Sequence, residues 1–201
     1  DGFSCAQSPA AAHLALRAAE VLQVETFVAS ATLVQVTWSL TRLQLFIPRL
    51  LERLTTLRGC ELRTQDLALG VWVLAFWHFV GDRCLLDEMS TDLSDFGTQD
   101  LANVAWAMAV QLVTSEPLVV ALAVEAERKL AAMAPQHLCN LIWAFATVSW
   151  STREPGDRSN LILSLSKEVR QRSCELENLG LAAASWGFAM AVGGGPLGCG
   201  P

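Results

Sequence analysis

A leucine followed five residues later by a tryptophan recurs along this chain, and the recurrence limits the folds that the chain can adopt. The text around the tryptophan repeats too: TQDLALGVWVLAF at 64–76 is close to TQDLANVAWAMAV at 98–110 and PQHLCNLIWAFAT at 135–147. The tryptophans of this pattern, five of the seven in the chain, are 34, 34, 37 and 43 residues apart, a period typical of architectures in which each unit packs on its neighbours. The five pairs are Leu33–Trp38, Leu67–Trp72, Leu101–Trp106, Leu138–Trp143 and Leu181–Trp186.

Each copy has the residue spacing of an amphipathic α-helix. With its leucine as position 0, apolar or small residues fall mainly at positions 0, +3, +4, +7 and +8, which form one stripe at 3.6 residues per turn. Thr64 and Thr98 are predicted to cap their helices, and Pro135 suits a first helical turn. We call these five segments the Trp helices.

More polar amphipathic segments separate the Trp helices, and we call them the intervening helices. Segment 9–23 is predicted to be an orphan of this type, and segment 151–160 is predicted to be a loop. The full intervening helices are predicted at 48–58, 83–93, 116–133 and 161–176.

Pairs of helices that cannot bury their apolar faces alone achieve burial by stacking. The predicted fold is therefore all-α, a right-handed α-solenoid of stacked helix-turn-helix repeats of about 34–43 residues. Residues 1–29 are predicted to form a partial repeat, residues 30–192 about five repeats, and residues 193–201 a flexible Gly/Pro tail.

Composition excludes several classes of protein. A content of 52% hydrophobic and 17% charged residues argues against disorder over most of the chain. The net charge of −6 argues against bulk attraction to nucleic acid or anionic membranes, so any basic surface must be local. The longest apolar run, 67–77, is short for a membrane span, so no membrane insertion is expected.

No catalytic or metal-binding motif is visible. The six cysteines contain no C-x-x-C pair and the three histidines are scattered, which is unlike a closed zinc site. Phosphate-binding loops, G-x-S-x-G and H-E-x-x-H are also missing from the sequence. We therefore expect no enzyme activity, no metal and no cofactor, and a reducing compartment for the cysteines.

The third and fourth copies resemble a known repeat. FGTQDLANVAWAMA at 96–109 and MAPQHLCNLIWAFA at 133–146 resemble the octotricopeptide repeat, whose signature is Pro-Gln, then Leu, then Asn-Leu-x-Trp-Ala-x-Ala. They also resemble the leucine-rich repeat region of FAST-kinase-like, RAP-domain proteins. The resemblance covers about residues 30–190 and is weakest in the first and fifth copies. It implies an α-solenoid that binds single-stranded RNA in mitochondria or chloroplasts, in RNA processing, mRNA stability or translation.

Helical geometry suggests which side chains face a ligand. Positions −1, +2 and +6 lie opposite the apolar stripe, and they vary between copies as side chains that read one base per repeat would. These polar side chains either contact RNA or brace the stack, whereas the tryptophans are interpreted as packing anchors. The candidates are Gln35, Asp66, Asp100, Asn103, His137 and Asn140.

Charge is uneven along the chain. Arg49, Arg53, Arg170 and Arg172 are candidate phosphate contacts, with a solvated helix face as the alternative. Segment 65–127 is strongly acidic, which favours a rival interpretation: a scaffold that binds other proteins on its concave face.

Overall fold

The computed structural model describes most of the chain and shows only helices within the part that it describes. Described are residues 28–79, 92–112, 115–152 and 158–172, together with residues 13, 16–18, 20–22, 85, 89, 174, 182 and 185. The fifth Trp helix and the tail at 193–201 lie outside the described residues, apart from residues 182 and 185. Within the described part, no helix is both long and apolar enough to cross a membrane.

The chain divides into two compact units, residues 1–88 and 89–201. Unit 1 contains α1 (Ser30–Arg42), α2 (Pro48–Thr55), a 3-10 turn at Gly59–Glu61 and α3 (Thr64–Phe76). The two Trp helices α1 and α3 pack against each other, and α2 packs on both. Among residues 13–22, those that are described are helical, as expected for the orphan intervening helix.

Unit 2 contains two complete helix pairs. They are α4 (Thr98–Val110) with α5 (Glu116–Lys129), and α6 (Pro135–Thr152) with α7 (Arg158–Gln171). The Trp helices α4 and α6 pack on each other, α5 packs on α7, and each Trp helix packs on its following partner. Within this unit the Trp helices therefore form one layer and the intervening helices a second, as in stacked helical repeats.

The apolar stripe predicted from the sequence is confirmed in α1, α3, α4 and α6. All residues at positions 0, +3, +4, +7 and +8 of these helices are buried except Val36. Burial of each large aliphatic side chain contributes roughly 1.5–3 kcal/mol, so this stripe supplies the main driving force for packing. Leu85 and Met89, from the predicted segment 83–93, are helical and buried as well.

Several boundary predictions were wrong by a few residues; the intervening helix predicted at 48–58, for example, ends at Thr55. Thr64 and Thr98 are the first residues of their helices, so the capping positions belong to Arg63 and Gly97. Pro135 begins α6 as expected. Residues 151, 152 and 158–160, predicted as parts of a loop, are helical, since α6 continues to Thr152 and α7 begins at Arg158; residues 153–157 lie outside the described residues.

Basic side chains on the intervening helices tie down the chain that precedes the Trp helix. Lys129 Nζ donates to the carbonyls of Ser94 and Phe96 at 2.7 Å each. Arg172 Nη1 donates to the Met133 carbonyl at 2.6 Å. Phe96 and Met133 occupy the same position, five residues before the leucine of their copies. We call this recurring contact the carbonyl clamp.

Candidate ligand-binding surface

The most regular exposed polar surface runs along the Trp helices of unit 2. Positions −2, +2, +5 and +9 are spaced by three or four residues and therefore lie on one helix face. On both α4 and α6 the glutamine at −2 is exposed and the other three side chains are half-buried. We call this face the amide–indole strip. It consists of Gln99, Asn103, Trp106 and Val110 on α4 and of Gln136, Asn140, Trp143 and Thr147 on α6.

The asparagines at position +2 are the best-placed of the predicted contacts. Gln136 Nε2 donates to Asn140 Oδ1 at 3.0 Å, one helical turn away. This bond occupies the oxygen of Asn140 and directs its two amide hydrogens away from Gln136. Asn103 has the same position on the neighbouring helix α4 and is similarly half-buried. The strip therefore presents two equivalent amides from adjacent helices.

In unit 2 the side chains at position −1, Asp100 and His137, bind backbone N–H groups at the starts of their helices. Asp100 Oδ2 accepts a hydrogen bond from the Gly97 N–H at 3.0 Å, and His137 Nδ1 accepts one from the Ala134 N–H at 3.4 Å. Each side chain thus satisfies a backbone donor at the start of its own helix, as the third residue of a capping box does. Both contacts agree with the bracing interpretation of Asp100 and His137.

The cap formed by His137 is expected to weaken in acid. Burial lowers the pKa of His137 below its ordinary value of 6.5, although the nearby Asp100 carboxylate opposes this shift. The unfolded chain therefore binds the proton more readily, so stability is full above pH 6.5 and falls as the pH drops below it. In urea unfolding at pH 7.5 and 5.5, His137→Gln should keep a capping side chain and reduce this loss. An unchanged pH dependence in the variant would contradict the role of His137.

In α3 of unit 1 the residue at position −1 is buried inside the protein. Asp66 is 0% exposed and accepts hydrogen bonds from Gln35 Nε2 at 2.7 Å and Arg63 Nε at 3.0 Å. The prediction that Asp66 contacts RNA is therefore corrected, because its position faces α1. Gln35 is half-buried and uses its amide to hold that carboxylate.

The surface available to a ligand is also narrower than predicted at position +6. In the four Trp helices that the structure describes, Val73, Ala107 and Ala144 are fully buried at this position and Ser39 of α1 is exposed. Val73 and Ala144 lie on helices that pack against the preceding Trp helix of their own unit, α3 on α1 and α6 on α4.

The tryptophans lie at the edge of the core rather than inside it. Trp38, Trp72, Trp106 and Trp143 were interpreted as packing anchors beside the apolar stripe, and all four are half-buried. The guanidinium of Arg42 lies 5.9 Å from the centre of the Trp38 ring, within the range of a cation–π contact. The sequence analysis did not identify the amide–indole strip as one face. The spacing of positions −2, +2, +5 and +9, three or four residues apart, was the signal in the sequence that could have done so.

Two of the four predicted phosphate contacts are engaged in the fold. Arg53 donates to the Leu22 carbonyl, and Arg172 forms the carbonyl clamp and lies 3.6 Å from Glu168. These two predictions are corrected, because a guanidinium that satisfies buried carbonyls is held away from solvent ligands. Arg49 and Arg170 are exposed.

No family model, curated protein or solved structure matches this chain. Among the described residues, no group of three or more His, Cys, Asp or Glu is placed to hold a metal ion.

Proposed function

We propose that this chain is a non-catalytic RNA-binding module, a right-handed α-solenoid that takes part in organellar RNA processing, stability or translation. The observation that carries the proposal is the amide–indole strip, in which an asparagine and a tryptophan recur at equivalent, half-exposed positions of adjacent helices. The repeat signature quoted above supplies the link to mitochondrial or chloroplast RNA.

The chemistry of the strip suits single-stranded RNA. Asparagine amides donate and accept hydrogen bonds at base edges. An indole at the surface stacks on any base, which is worth about 1–3 kcal/mol per base. Helical-repeat proteins read one base per repeat with two or three side chains, and the strip offers an amide and an indole in each of its two repeats. We propose that Asn103 and Asn140 contact the RNA bases. Of the four predicted phosphate contacts, the arginines Arg49 and Arg170 are exposed and can bind phosphates.

A protein-binding scaffold is the second candidate, and one observation favours it. Arg53, Lys129 and Arg172 donate to backbone carbonyls, which withdraws three basic side chains from phosphate binding in a chain of net charge −6. With these basic side chains withdrawn, the affinity for RNA should depend less strongly on salt, because each phosphate contact makes that dependence steeper.

Binding of labelled single-stranded RNA tests the proposal. We expect fluorescence anisotropy to report binding at 25 mM salt that weakens at 200 mM salt. Trp143→Ala should weaken binding about 5- to 150-fold, through the loss of one stacked base. Val124→Ala is the matched control, because Val124 is 56% exposed on α5 and lies outside the strip. RNA that stays unbound at micromolar protein and low salt, or a Trp143→Ala chain that binds like wild type, would contradict the proposal.

A further inference from the structure

The two repeats of the amide–indole strip differ in one hydrogen bond. On α6, Gln136 Nε2 donates to Asn140 Oδ1 at 3.0 Å, across one helical turn. Gln99 and Asn103 have the same positions on α4, but no hydrogen bond joins these two described residues. The asparagine amide is therefore held in one orientation on α6, whereas on α4 it is not held by its glutamine.

The orientation of the amides on α6 has a physical cause. The helix begins at Pro135, so Gln136 lies in the first turn, where unpaired backbone N–H groups carry partial positive charge. An amide in that turn is favoured with its oxygen toward the start of the helix and its nitrogen toward the next turn. Gln136 has this orientation, since its nitrogen faces Asn140. Reversal of both amides is therefore disfavoured.

The held amide offers a hydrogen-bond donor to a ligand. An asparagine amide has one acceptor oxygen and one NH₂ group with two donors. Because Oδ1 of Asn140 is bonded to Gln136, the Nδ2 group is the end that is left for a ligand. Trp143 lies three residues further on and is a neighbour of Asn140 on the same face. A base stacked on this indole brings its edge toward the Nδ2 group.

The four bases differ in the group that such an edge presents. Uracil and guanine carry a carbonyl oxygen, O4 or O6, where cytosine and adenine carry an amino group. A carbonyl oxygen accepts a hydrogen bond from the Nδ2 group, whereas an amino group places a second donor against it and leaves both donors unpaired. The amide of Asn103, which its glutamine does not hold, can turn to suit either kind of base.

We propose that Gln136 is a positioning residue that sets the base preference of the α6 repeat. By holding Oδ1 of Asn140, it turns the Nδ2 donors toward the RNA. The repeat therefore prefers a keto base, uracil or guanine, to an amino base, cytosine or adenine. This base preference rests on the proposed RNA-binding function and adds to it the class of base and the side chain that selects it.

Binding of two labelled oligonucleotides to the whole chain tests the preference. The probes are single-stranded oligouridylate and oligocytidylate of about ten nucleotides, whose bases have the same size and differ at the ring position that carries O4 or the N4 amino group. Fluorescence anisotropy gives the ratio of the two dissociation constants. We expect the wild type to bind oligouridylate about 2- to 12-fold more tightly, the range for one hydrogen bond.

Gln136→Glu should reverse the preference. A carboxylate only accepts hydrogen bonds, so Asn140 should donate to it through Nδ2 and turn Oδ1 toward the RNA. Oligocytidylate should then bind as tightly as oligouridylate or more tightly. The added negative charge weakens the binding of both probes, and this effect cancels in the ratio. Gln171→Glu, at an exposed glutamine of α7, makes the same charge change and should leave the ratio unchanged.

Asn140→Ala tests whether Gln136 acts through Asn140. The preference for oligouridylate should disappear in this variant, and the addition of Gln136→Glu should not change the ratio further. A purely structural role of Gln136 would lower both affinities and leave the ratio as it is in the wild type. Circular dichroism of each variant checks that its helicity is native.

The failure of the base preference can be told apart from the failure of RNA binding. A chain that binds neither oligonucleotide at micromolar protein and low salt would contradict the proposed function, and the base preference with it. A chain that binds both, and loses affinity in Trp143→Ala, supports RNA binding. If its ratio is then the same in the wild type and in Gln136→Glu, or if Asn140→Ala keeps the preference, the role of Gln136 alone is overturned.

Discussion

Replacement of Lys129 by methionine is expected to destabilise unit 2 by about 3 kcal/mol. Lys129 Nζ donates to two backbone carbonyls, those of Ser94 and Phe96, and lies 2.8 Å from Glu125 Oε1. Glu125 is 5% exposed, so it depends on its partners to stay charged. Methionine keeps the length and the apolar stem of lysine but leaves the carbonyls and one carboxylate oxygen without that donor. In this variant Arg128, 2.7 Å from Glu125 Oε2, still balances part of the negative charge of the Glu125 carboxylate.

The pH dependence of stability provides a second signature of the same contact. The hydrogen bond from Lys129 lowers the pKa of Glu125 below 4.5, against a burial effect that raises it. The unfolded chain therefore binds the proton first, so this stabilisation is present above pH 4.5 and is lost as the pH falls through the lower, folded-state pKa. In Lys129→Met the hydrogen bond that lowers the pKa of Glu125 is lost, so the pKa of Glu125 rises. Stability should therefore begin to fall at a higher pH than in the wild type.

Urea unfolding followed by circular dichroism at pH 7 and pH 4.5 measures both effects. Lys167→Met on α7 is the matched control, because Lys167 is exposed, and it should change the free energy of unfolding by less than about 0.5 kcal/mol. Equal stabilities for Lys129→Met and Lys167→Met would show that the carbonyl clamp contributes nothing.

Phe145→Ala is the second large prediction, with an expected loss of about 3–5 kcal/mol. Phe145 is 0% exposed at position +7 of α6, and among the described residues it is the largest of the fully buried side chains. Leucine at the same position in α1 and α3 shows that the stripe accepts a smaller residue there, although the surroundings of Phe145 are packed for a ring. Phe145→Leu should therefore cost less than Phe145→Ala.

Thermal unfolding of the two Phe145 variants beside Phe46→Ala tests this order. Phe46 is 48% exposed, so its removal should cost under about 1 kcal/mol. Since the chain has two compact units, the transition that shifts should be that of unit 2. A Phe145→Ala variant that loses no more stability than Phe46→Ala would contradict the packing argument.

The sequence predicted some parts of the candidate surface well and others poorly. Asn103 and Asn140 were predicted to face outward from helical spacing, and both are half-exposed. Asp66 was predicted on the same grounds and is buried, because a single-helix projection does not include the neighbouring Trp helix. Asp100 and His137 were predicted by the same projection, which does not show that they reach back to backbone N–H groups three residues away.

Two of the four predicted phosphate contacts are exposed and two are engaged in the fold, and the sequence could not separate them for a related reason. Arg53 and Arg172 look like ordinary surface charges in the sequence, yet both donate to backbone carbonyls distant along the chain. Long basic side chains reach any acceptor that folding brings close, and the acceptors here are main-chain atoms, which carry no sequence signature.

What the sequence alone determined is the helical character of the chain, the repeat and the buried stripe, because the 3.6-residue period fixes which side chains of one helix share a face. What the tertiary structure decided is which remaining side chains stay accessible. That outcome depends on contacts between helices: α1 covers Asp66 and Gly70 of α3, while Val36, which has the position of Gly70 on α1, is half-buried. Accessibility is a property of the neighbours, and the period of a single helix carries no information about them.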